Sequence, residues 1–80
     1  MRLPRDLSGE DLAGRLTRLG YRVTRQTGSH LRPTTELDGE HHLTIPSHPS
    51  LRVGTLSAII SDLAQHHRLD RDELLKLILP

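Results

Sequence analysis

Apolar residues follow three successive rhythms along this chain. The first is helical: Leu12, Leu16 and Leu19 recur at i, i+4 and i+7 and place one apolar stripe on a helix. Ser8 stands where an N-cap belongs, Asp11 is its capping-box partner, and Leu7 and Leu12 occupy the staple positions. Arg15 and Arg18 complement the negative end of the helix dipole, and Gly20 supplies the residue that ends it. The pattern predicts a helix from Ser8 to Leu19.

After Gly20 the period drops to two. Tyr21 to Gln26 alternates apolar with polar and is rich in β-formers, so it predicts a strand. Thr27-Gly28-Ser29 is expected as a three-residue turn, and His30 to Thr35 as the second strand. Pro33 has no N–H to donate, so that strand is expected to have a free side there. Leu37-Asp38-Gly39 signals another turn, and His41 to Pro46 alternates as a third strand. Apolar residues share one side only if the turns are three residues long, which pairs Leu31 with Ile45 and Pro33 with Leu43. Tyr21 and Val23 then join the inner face. The outer face carries Arg22, Thr24, Gln26, His30, Arg32, Thr34, His42 and Thr44, with donors, positive charge and no acid.

The last rhythm is helical again. Ser47 to Ser50 is loop, and Leu56, Ile59, Ile60 and Leu63 then form a stripe that ends in His66, His67 and Arg68. Asp70 as cap and Glu73 as its capping-box partner open a short final helix that runs towards Pro80. The order α-β-β-β-α-α predicts a single α+β domain over residues 1–80, a three-stranded antiparallel meander with helices packed on one face.

Composition narrows the chemistry. Leu, Ile and Val supply 22 of the 80 residues while Phe and Trp are absent and Tyr21 stands alone, so the core is built of leucine. No cysteine means no disulfide, no thiolate catalysis and no cysteine-built zinc finger. No apolar run approaches the roughly 20 residues of a membrane helix, and Met1 to Arg5 leads into a capped helix rather than a signal core. A soluble cytoplasmic protein is expected. The net charge of +1 hides two unlike halves. Residues 1–35 hold seven arginines against three acids, whereas residues 36–80 hold four basic groups against seven acids. Ten of the eleven basic residues are arginine, whose planar fork suits phosphate.

His30 draws these threads together. It follows a glycine turn where an anion can approach the backbone, and it lies on the polar face near Arg32 and Arg22. Imidazole moves protons near neutral pH. A second proton carrier is harder to place. His42 opposes Thr34, about 13 Å along the sheet from His30 at the usual rise per residue. His48 is better situated, because continuing the strand past Pro46 brings it opposite Gly28. The pairs His41-His42 and His66-His67 invite a metal, but neighbouring strand residues point to opposite faces and no cysteine joins them, so no metal and no cofactor is expected. Walker loops, dinucleotide fingerprints and nucleophile elbows are absent.

Several short stretches resemble one family in order and spacing. Leu3-Pro4-Arg5, Ser8-Gly9-Glu10, Leu19-Gly20-Tyr21 and Gln26-Thr27-Gly28-Ser29-His30 look like HicA (YcfA-like) toxins. So do Thr44-Ile45-Pro46, His48-Pro49 and Gly54-Thr55-Leu56 with Ile59-Ile60. The resemblance implies a double-stranded-RNA-binding-domain-like fold, an mRNA endoribonuclease of a toxin–antitoxin system, and inhibition by a HicB-like antitoxin. It makes His30 the catalytic residue, with His48 as a possible second. RNA carries its own 2′-OH nucleophile, so the protein supplies proton transfer and charge stabilisation without a metal. Arg22, Thr24, Gln26, Gly28, Ser29 and Arg32 are the expected RNA contacts. The antitoxin is expected to cover the outer sheet face with an acidic surface. Two other classes compete: a non-catalytic RNA-binding module, and a protein-interaction domain, which has no need of arginines on that face. A histidine rather than a lysine beside the turn favours catalysis.

Overall fold

The computed structural model describes residue 3 and residues 6–79, so the expectations for Met1, Arg2, Pro4, Arg5 and Pro80 lie outside the described residues. The first helix, α1, spans Gly9–Arg15 and tightens into a 3-10 turn over Leu16–Leu19, ending on Gly20 with φ 80°. Ser8 caps it by accepting from the Asp11 N–H at 3.0 Å. The Asp11 carboxylate does not reach back to complete the capping box; it pairs with Arg15 at 3.5 Å. Leu7 and Leu12 are both buried, as the staple requires.

Strands β1 (Arg22–Thr27), β2 (His30–Thr35), β3 (His41–His42) and β4 (Ile45–Pro46) form one antiparallel sheet in which β2 is central. The expected pairing of β2 with the third segment holds, with Leu31 opposite Ile45 and Thr34 opposite His42. That third segment, however, is two short strands rather than one. Leu43 donates to the Pro33 carbonyl at 3.0 Å, but Pro33 has no N–H to return, and the ladder breaks between His42 and Ile45. Pro33 is fully buried inside the sheet instead of lying at a free side, which corrects that expectation.

The first hairpin departs further. Thr27 pairs with His30, so the turn is the two residues Gly28-Ser29, not three. Gly28 has φ 56° and Ser29 is not left-handed, the type II′ arrangement that matches strand twist. The register expected from the apolar pattern survives only at the base, where Val23 faces Pro33; it slips by one at a bulge on Thr24.

Helix α2 spans Val53–His67 and α3 spans Arg71–Ile78, the latter opened by a complete Asp70–Glu73 capping box. Arg15 and Arg18 stand in the last turns of the first helix, as expected, and also donate to the Ile78 and Leu77 carbonyls at 3.1 and 2.7 Å, so that they cap α3. Leucines and isoleucines from all three helices meet Tyr21, Leu31, Leu43 and Ile45 in one core on the inner side of the sheet. Each fully buried leucine contributes about 1.5–3 kcal/mol of transfer free energy. This is an α+β fold compatible with the double-stranded-RNA-binding-domain type. No helix among the described residues is long and apolar enough to cross a membrane.

Candidate active site

Three rows of side chains make the outer face. Thr27, His30 and Pro46 form the row nearest the hairpin tip; Arg25 and Arg32 form the next; Arg22, Thr34 and His42 form the third. By the same register Thr44, which is exposed, completes the second row beside Arg32. β2 alternates exposed and buried along most of its length because its other side packs on the core. All of β1 is exposed, since α1 packs on β2 and β4 and leaves β1 uncovered.

The bulge changes which residues share this face. Gln26, expected beside His30, pairs with Leu31 and faces the helix side. There it lines a groove of about 400 Å³ with Glu10, Ala13, Val23 and Leu31. Arg25 takes its place on the outer face, opposite Arg32. The signal was in the sequence: Gly-Ser is a two-residue hairpin dipeptide, and reading it so turns Arg25 outward. Thr24 is the bulged residue, and its hydroxyl bonds the Arg32 carbonyl at 3.2 Å and the Thr34 hydroxyl at 3.0 Å. The expectation of a face without acid also needs correcting, because Glu40 reaches the His42 ring at 2.8 Å.

The six histidines divide sharply. His42 is held between Glu40 and the Thr34 hydroxyl. His41, His66 and His67 form a cluster that sequence reasoning missed, around the buried Tyr21 hydroxyl. That hydroxyl lies 2.6 Å from His41 Nδ1 and 3.0 Å from His67 Nε2. Asp62 holds the far side of His41 at 3.2 Å, Asp38 that of His67 at 3.0 Å, and His66 donates to the Leu37 and Gly39 carbonyls. Burial, with the Asp62 charge adding to it, pushes the Tyr21 phenol well above its ordinary range. No group of three or more His, Cys, Asp or Glu among the described residues is arranged to hold a metal ion.

His30 and His48 are different. Neither ring has a hydrogen-bond partner among the described residues, and both side chains are exposed. Ser47 donates to the Ser29 carbonyl at 2.7 Å, which extends β4 towards the hairpin tip. His48 follows, and its carbonyl accepts from the Gly9 N–H at 3.0 Å.

Among known families, the model described as "HicA toxin of bacterial toxin-antitoxin" matches residues 9–67, from the first residue of α1 to the last of α2. The chain belongs to the HicA toxin family. As a HicA toxin it is the toxin partner of an antitoxin. The match includes the whole outer face and stops short of α3, which in this HicA toxin is tied back to the first helix by Arg15 and Arg18. Neither a curated protein nor a solved structure matches the chain.

Proposed function

We propose that this HicA toxin is a metal-independent endoribonuclease that cleaves mRNA, with His30 as its acid/base. The supporting observation is the division of the histidines: four are bound into structural contacts, while His30 is exposed, without a partner among the described residues, and one row from Arg25 and Arg32. His30 takes the proton of a ribose 2′-OH, the 2′-oxygen attacks the adjacent phosphorus, and the 5′-oxygen departs. A 2′,3′-cyclic phosphate and a 5′-hydroxyl result. His48, the other ring without a partner among the described residues, is the candidate donor to the departing oxygen. Arg22 and Arg32 hold the phosphate backbone, and the Gly28-Ser29 turn leaves room for it. Thr24 serves as a positioning residue through its bond to the Arg32 backbone.

Such an enzyme works in the cytoplasm, where mRNA is found, and a HicB-like antitoxin silences it by laying an acidic surface over the sheet face and His30. The test is cleavage of an mRNA by the purified protein and by His30→Ala, each with and without EDTA. Cleavage by the natural chain should survive EDTA, and His30→Ala should lose it while keeping its circular-dichroism spectrum. Cleavage by a folded His30→Ala removes His30 from the mechanism. RNA binding without cleavage by the natural chain makes it a binding module, and inhibition by EDTA that magnesium reverses ends the metal-free reading.

A further inference from the structure

Six of the ten arginines fall into two groups. Arg15, Arg18 and Arg71 hold backbone carbonyls or serine hydroxyls. Arg22, Arg25 and Arg32 share the outer face, and none of their guanidinium groups has a partner among the described residues. Two of the three stand directly opposite one another. Arg25 and Arg32 are cross-strand partners, which sets their Cβ atoms about 5 Å apart, and like charges so placed repel.

The register at the base of the hairpin, carried on without the bulge, would turn Arg25 to the helix side and set Thr24 opposite Arg32; the two-residue turn sets the tip register that pairs the arginines. The Thr24 hydroxyl on the Arg32 carbonyl pins the bulge between the two registers. A costly like-charge pair, held in place and left open to solvent, is the arrangement an anion would complete.

Resting on the ribonuclease reading of this face, we infer that Arg25 and Arg32 form a clamp for one phosphodiester of the bound strand, next to the one at His30. The two forks present donors from both strands to a tetrahedral group, and Arg32 lies two residues along β2 from His30, about 7 Å away. Arg22 sits a row further on, opposite Thr34, and makes a single contact. A phosphodiester fits better than an acidic protein side chain because the neighbours in these rows, Thr27, His30 and Thr44, offer donors to an extended polyanion rather than an apolar rim.

The probe is a single-stranded oligodeoxynucleotide, which has no 2′-OH and is not cleaved. Its affinity for the full-length protein is measured across a salt series, together with the melting temperature of the free protein. Arg25→Gln should raise the free protein's melting temperature by a few degrees as the repulsion is relieved. It should also weaken the oligonucleotide about tenfold and flatten the salt slope by about 0.7. Arg25→Lys should keep most of the slope and lose part of the affinity. Arg22→Gln should weaken binding without raising the melting temperature. Unchanged affinity and slope in Arg25→Gln overturn the clamp, and so does a loss seen only against an acidic peptide. Failure of the ribonuclease reading looks different: the clamp's signature persists on the oligonucleotide while mRNA stays intact.

Discussion

Gly9 has the least room for a side chain of the six glycines. A Cβ there would overlap the Pro46 carbonyl, while the Gly9 N–H already donates to His48. The first turn of α1 is therefore pressed against the strand that pairs with His30. Gly9→Ala should destabilise by about 2–3 kcal/mol, since the obstructing atoms are backbone and cannot swing aside. Gly14, in the same helix with nothing within 4 Å of where a Cβ would stand, is the control: Gly14→Ala should stabilise by up to about 1 kcal/mol. Urea unfolding of the two variants measures both. Sequence placed Gly28 correctly in a turn because the reason is local. The reason for Gly9 lies on a strand far along the chain, so no local reading could supply it.

At the scale of elements, the pattern of apolar residues located all three helices and the β2 register, and it failed where hydroxyl and imide chemistry intervene. Parity assigns faces only while the ladder is unbroken; the Thr24 bulge breaks it, and Gln26 and Arg25 exchange sides. The split between β3 and β4 has its cause in the missing Pro33 donor. Pro33→Val restores that N–H opposite Leu43. Amide exchange across Leu43 and Thr44 should then slow measurably, while the buried site makes the net change in stability small or unfavourable. Faster exchange there would show that the split has another cause. The final helix was legible in full, because its capping box is a contact between near neighbours. Asp70→Ala should cost about 1 kcal/mol in thermal unfolding.

Across the whole molecule, the Tyr21 cluster joins what the chain keeps far apart: the end of the first helix, the β2–β3 connection, β3 and the end of α2. Alternation did send His41 and His42 to opposite faces, but Asp38, Asp62 and His67 arrive from elements whose mutual placement is tertiary. Counting hydrogens along this row has a consequence. From Asp62 through His41, Tyr21 and His67 to Asp38 there are four polar contacts, and each needs one hydrogen. Two ionised carboxylates, two neutral imidazoles and one phenol bring three. The ring nitrogens that face the carboxylates must carry theirs, and the single phenolic hydrogen serves only one of the two nitrogens turned towards it. The Tyr21 hydrogen can therefore point at His41 or at His67, not at both at once. Because burial keeps the Tyr21 phenol protonated, stability falls as pH rises from about 10, where the unfolded chain ionises and the folded one does not. Tyr21→Phe should be less stable than the natural chain at neutral pH and should lose stability less steeply above about pH 10; equal slopes there would mean that burial does not hold the phenol's proton.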